Sequence, residues 1–314
     1  MPRRPDAELV KTTKFHELEF HIMRERTRSE LHYETQVDLT KTIEFLEEYN
    51  KDKDEENKLT LFQIYLTAAV RAITLRPKIN RFVSGRRLWQ RNKIIIGFVV
   101  KKDKTEGGEE INAMIEFDPY DTLATVQKIV KEEIHEARHG VNPNEEDIEL
   151  ARKMPRWMLR LLFWYLRWSD SHNFPLYSFT KDIPMWSTIF LAHLGSIGVP
   201  AIYHHLFEFG TTSIMITFGK KHKAQVVDQE TEKVDIRSVM DLKVSIDDRV
   251  VSGSYSGPTI ALMQELIENP EPLLNPPELT DEHLDSLMLE KYKKERLERE
   301  KLRKKQRKKK KKKK

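Results

Sequence analysis

A chain of 314 residues, 39% hydrophobic and 33% charged, is long enough for one large domain or two small ones with a substantial core. It has no cysteine, which excludes disulfides, thiolate metal sites and a cysteine nucleophile. The net charge of +5 is set by one segment: residues 301–314, KLRKKQRKKKKKKK, hold twelve Lys and Arg and no acid, and residues 1–300 sum to −7. A basic balance concentrated in one appendage does not indicate a nucleic-acid-binding domain.

The N-terminal MPRRPDAELVKTTKF lacks an apolar core, so no secretory signal is read there, and no apolar run reaches membrane-spanning length. A cytoplasmic location is expected. Residues 14–30 predict a helix. HYETQVDL (32–39) alternates, with His32, Glu34 and Gln36 on one face and Tyr33, Thr35 and Val37 on the other, which predicts a strand. Thr40 can cap a helix over 42–50, and 59–75 is a strongly apolar helix that stops before Pro77. Residues 81–102 contain two strand-like runs with a turn near Ser84–Gly85, and 111–117 is another strand. Helices are expected over 120–138 and starting in 142–153. Strands follow at 186–195, 213–219, 224–228 and 241–247, then a helix at 256–268. From Asp281 onward the sequence is charged and shows no apolar face. No repeat at solenoid periods is present.

The order of these pieces resembles the catalytic domain of the 2-oxoacid dehydrogenase acyltransferases (the E2 component), which share the chloramphenicol acetyltransferase fold. The resemblance runs across most of residues 14–270. LHYETQVDLTK looks like the family's first strand, and LTLFQIYLTAAVRAITLRPKINRF like its buried helix and Pro–x–x–Asn turn. NKIIIGFVV is similar to a strand that reads DIGVAV in relatives, and FLAHLGSIGV to one that reads ISNLGxxG. DLKVSIDDRVVSG, followed by ALMQELIENPEPLL, resembles LTLSFDHRVVDG and the closing helix. The lipoyl and subunit-binding domains of full E2 chains are not seen. The implied fold class is α/β, an α+β two-layer sandwich of the chloramphenicol acetyltransferase-like, CoA-dependent acyltransferase type. The expected organisation is a domain over 1–275 with an inserted aromatic helix near 154–168, then a lysine-rich tail over 276–314.

The resemblance implies acyl transfer between two thiols, coenzyme A and dihydrolipoamide. A histidine takes the thiol proton and a serine hydroxyl donates to the oxyanion, at a subunit boundary of a trimer. Laid on DHRVVDG, residues Asp247, Arg249, Val250, Val251 and Gly253 match, Asp248 stands in place of the histidine, and Ser252 in place of the second aspartate. Ala192 falls where the oxyanion serine belongs, followed by His193. Proton transfer from a thiol with pKa about 8.5 to an ordinary aspartate at about 3.9 is uphill by roughly 6 kcal/mol. Burial can narrow that gap.

Two readings follow. In one, chemistry persists with His193 as base or oxyanion donor and Asp248 orienting it across the interface. In the other, the site is degenerate and the protein is a binding, scaffold or membrane-surface adaptor protein. The bland roles of both residues are a polar strand position for His193 and a salt bridge for Asp248. His204–His205 lack a carboxylate at metal-ligand spacing, so no metal is expected.

MPRWMLRLLFWYLRW (154–168) matches no part of the family pattern. Pro155 suits a first helical turn, and arginines interrupt an aromatic stripe. A lid or trimer contact is the favoured reading. The sharper one is a membrane-surface helix acting with the lysine tail on anionic lipid. The expected partners are an acyl-CoA or carrier thioester and further copies of the chain, in a homotrimer or a larger assembly. A dedicated nucleic-acid role is not expected.

Overall fold

The computed structural model describes residues 4–101, 110–139, 153–228 and 231–312. In chain order, β1 (Ala7–Leu9) and α1 (Lys14–Ile22) precede β2 (Glu30–Asp38), α2 (Thr40–Asn50) and α3 (Leu61–Leu75). There follow β3 (Arg81–Ser84), β4 (Arg87–Arg91), β5 (Ile94–Lys101), β6 (Glu110–Phe117) and α4 (Leu123–His139). Next come α5 (Arg156–Ser171), the single turn α6 (Tyr177–Thr180), β7 (Ile189–His193), β8 (Ile214–Val227) and β9 (Val234–Asp247). The chain closes with α7 (Gly253–Glu268), α8 (Asp281–Leu287) and α9 (Lys293–Lys312).

Two sheets organise these elements. The larger has the order β2-β9-β8-β7-β5-β6, and a small one has the order β1-β4-β3. Among the described residues only the β5–β7 and β7–β8 pairings are parallel. Alternation divides the large sheet into faces. Leu191, Ile216, Phe218, Leu242 and Val244 join the main core, whereas Phe190 and Met215 pack with Leu206 on the other side. The main-core face is covered by α3, whose Ile64, Leu66, Ala68, Ala69 and Ile73 are all shut from solvent. A helix buried on all sides needs its first N–H groups satisfied from within the protein. The Thr60–Gln63 capping box does this, with Thr60 N–H donating to Gln63 Oε1 at 2.9 Å.

Several expectations need correction. The helix expected over 14–30 ends at Ile22, because Arg26 turns inward and donates to the carbonyls of Phe207 (2.6 Å) and Gly210 (2.9 Å). Residues 81–102 supply three strands rather than two. The expected strands 213–219 and 224–228 are one long β8, paired to β9 through a register shift between Phe218 and Lys221. The expected helix of 142–153 lies almost wholly outside the described residues. The charged stretch after Asp281 is not a bare appendage: Leu284, Leu287 and Leu289 are buried, and Arg299 holds Asp285 at 2.7 Å. Its apolar face comprises too few residues to stand out among so many charges. No helix among the described residues is long and apolar enough to cross a membrane.

Candidate active site

The turn that leaves β9 is fixed by a buried charge cluster. Asp247 is fully buried and accepts from Arg249 twice, Nε to Oδ1 and Nη2 to Oδ2, both at 2.8 Å. Arg26 adds a second guanidinium, its Nε 3.6 Å from Asp247 Oδ2. Arg249 Nη1 also donates to the carbonyls of Met23 and Arg24 at 3.2 Å. Charge-assisted, two-pronged contacts of this kind set a turn's geometry closely. They leave Asp248 half-buried at the bend, with its backbone N–H on Ser29 O at 2.8 Å. Its carboxyl is raised above the usual range, first by burial and then by Glu19 and Asp247, while His16 pulls it down.

His16 is a neighbour that sequence reasoning missed. Its position on α1 brings the ring to Arg249 O, which Nε2 meets at 2.9 Å, and within electrostatic reach of Asp248. When Nε2 carries the hydrogen of that bond, Nδ1 is the free lone pair. No spacing links residue 16 to 248; only tertiary packing joins them. Ser252 and Gly253 start α7. Ser252 is exposed, with its hydroxyl 2.9 Å from that of Ser254.

His193 ends β7 on the main-core face. Its ring stacks on Phe62 at 5.6 Å and meets Tyr65 edge-on at 5.7 Å. Burial in this aromatic surround lowers its pKa, which favours the neutral imidazole. Ala192, one residue earlier, points to the opposite face, so the two cannot serve the same spot. The loop beyond is held tightly: a Cβ on Gly195 would come 2.4 Å from Gly219 O.

Within one protomer His193 and Asp248 are not brought together. Ile246 pairs with Ile214 while His193 pairs with Phe218, four residues further along β8. At about 3.3 Å per residue that is roughly 13 Å along the strand between His193 and Ile246, and Asp248 lies two residues further away, with β8 lying between β7 and β9. Asp247, Arg249 and His16 cluster with Asp248; Ala192 and His193 form a separate locus.

The sequence matches the family model of the 2-oxoacid dehydrogenases acyltransferase (catalytic domain) over residues 5–108 and 187–275, more than half of the chain. A search of curated proteins returns no match. Among solved structures, the chain is similar to a probable dihydrolipoamide acetyltransferase from Listeria monocytogenes 4b F2365, with TM-score 0.53 and 15% identity, covering 83% of this chain and 94% of that one. It is also similar to the Azotobacter vinelandii dihydrolipoamide acetyltransferase (E2p), in whose catalytic mechanism the roles of a serine, a histidine and an asparagine were investigated. There the TM-score is 0.54 at 16% identity, covering 85% and 94%. A truncated catalytic core of the 2-oxoacid dehydrogenase multienzyme complex from Thermoplasma acidophilum gives 0.50 at 14%, covering 84% and 99%.

Proposed function

Because the chain belongs to the 2-oxoacid dehydrogenase acyltransferase (catalytic domain) family, with its chloramphenicol acetyltransferase-like fold, we propose that it transfers an acyl group between coenzyme A, or a carrier thioester, and a thiol acceptor. The single observation that carries this reading is the preserved turn. The Asp247–Arg249 hydrogen bonds fix the turn that carries Asp248, the residue that the sequence resemblance lays on the proton acceptor, which supports this reading.

The roles follow from the geometry of each locus. His193, its neutral form favoured by the aromatic surround, is the base or oxyanion donor, and Asp248 of a neighbouring copy orients it. The register offset makes that pairing a matter between copies, as in the trimer the resemblance implies. His16 is a second candidate for the base, favoured by its contact with Arg249 and its pull on Asp248. Ser252, exposed at the start of α7, is assigned to substrate contact, and Gly253 to the backbone turn. In our reading one acyltransferase domain carries the insert, α5 contacts a neighbouring copy, and the lysine-rich extension reaches away from a cytoplasmic protein. The rival occupant of α5 is an anionic membrane surface, and flotation with anionic and neutral vesicles separates the two.

The test is acyl transfer by the purified full chain, with acetyl- and longer acyl-CoAs and dihydrolipoamide as acceptor. CoA release that depends on acceptor and is lost in His193→Ala supports the first assignment, and loss in His16→Ala alone supports the second. No turnover with any donor would leave the binding-protein reading in possession.

A further inference from the structure

A cavity of about 220 Å³ lies between α5, the β3–β4 turn and the loop before β8. Five arginines line it: Arg24, Arg26, Arg86, Arg167 and Arg249. Arg167 comes from α5, outside the two stretches that match the family model, so the cavity is not a property of the family core alone.

The acids of the cavity are already engaged. Asp170 is paired with Arg4 at 2.7 Å and accepts from Ser84 Oγ at 2.5 Å. Glu208 accepts from the N–H and hydroxyl of Thr27, both at 2.8 Å. Asp247 is taken up by Arg249. Arg24, Arg86 and Arg167 have no carboxylate at ion-pair distance among the described residues, which leaves positive charge in excess. Two buried donors on the lining also lack a hydrogen-bond acceptor among those residues: Trp186 Nε1, and Arg26 Nε, which lies at ion-pair distance, 3.6 Å, from Asp247 Oδ2 but makes no hydrogen bond to it. Unmet buried N–H groups beside unpaired guanidinium groups call for an acceptor carrying negative charge.

The walls are set in place. Gly85 and Arg86 both have φ +57°, the paired left-handed conformation of a two-residue hairpin turn. Gly85 is there because a Cβ would come 2.1 Å from Ser171 O at the end of α5. The turn therefore abuts the helix, and Arg86 and Arg167 stand on facing walls. Guanidinium forks suit phosphate oxygens, and the volume admits a phosphate or pyrophosphate rather than a whole nucleotide.

We propose that this cavity binds a phosphate group, gripped between the family core and the inserted helix. The site does not depend on acyl transfer and stands or falls separately from it. The phosphate comes either from a CoA-type ligand reaching in or from free inorganic phosphate.

Calorimetric titration of the full chain at 0.15 M salt, with inorganic phosphate, pyrophosphate, CoA and dephospho-CoA, tests it. A saturable one-to-one component is expected with at least one of them. Binding of CoA but not dephospho-CoA assigns the ligand to the 3′-phosphate, and binding of inorganic phosphate alone assigns it to the free ion. Arg167→Ala, and Arg86→Asn, which keeps the left-handed backbone, should each weaken that component about tenfold or more. Both are surface changes, so circular dichroism and melting temperature should match the parent, and Arg167→Lys should recover part of the loss. Absence of a saturable component for every anion, or one unchanged in a double variant that combines Arg167→Ala with Arg86→Asn and hence attributable to the lysine tail, would overturn the proposal.

Discussion

The turn after β9 and the inserted helix α5 are opposite solutions to placing polar and apolar groups. The turn hides charge in the sense that Asp247, Arg249 and Arg26 are all buried, with Asp247 hydrogen-bonded to Arg249 and at ion-pair distance from Arg26. Helix α5 shows apolar surface instead, with Trp157 at 65% exposure, Trp164 at 59% and only Leu166 and Ser169 buried. Buried charge is costly to hold unpaired, so the turn tolerates little change. Exposed aromatic surface contributes little to the stability of the folded chain.

The difference can be broken from the turn side first. Asp247→Ala leaves two buried guanidinium groups facing each other and should cost about 3–5 kcal/mol in urea unfolding. A loss below 1 kcal/mol would mean that the cluster does not govern the turn. Gly195→Ala, which drives a Cβ into Gly219 O, should cost about 1–3 kcal/mol and disturb the His193 locus. On the helix side, Trp157→Ser and Trp164→Ser should each change unfolding free energy by about 0.5 kcal/mol or less. They should also shift sedimentation toward smaller species. An unchanged sedimentation profile would remove α5 from the contact between copies.

The smallest effects are in pH dependence. Burial raises the Asp248 carboxyl, so the folded state holds that proton more tightly than the unfolded chain. Asp248 therefore costs stability as pH rises from 3.8 through its raised value. Asp248→Asn should be slightly more stable than the parent at neutral pH, the gain vanishing toward pH 3. His193 works in the opposite sense. Its folded pKa is lowered from 6.5, so its contribution is present above 6.5 and is lost as pH falls through the lowered value. His193→Phe should flatten the acid limb of a melting-temperature profile.

The elements that carry the resemblance were legible because their patterns are local. The apolar run of α3 shows its burial directly, and the alternation of 32–39 shows β2. The matching residues of 247–253 also stood out, though not the reason for them, since the partners of Asp247 include Arg26, more than two hundred residues away. His16 and the arginine cavity were invisible for the same cause: each is assembled by packing from distant segments. The apolar face of the C-terminal helices does not show in the sequence because three buried leucines sit among a dense run of charges. The separation of His193 from Asp248 depends on the pairing of β8 with both neighbours, and sequence patterns say nothing about that register.

The most direct test of the central reading is steady-state transfer of an acyl group from acyl-CoA to a dithiol by the full chain, followed with His193→Ala, His16→Ala and Asp248→Asn. The account predicts acceptor-dependent CoA release that falls at least a hundredfold in one histidine variant and less steeply in Asp248→Asn. Turnover that survives unchanged in all three would contradict it.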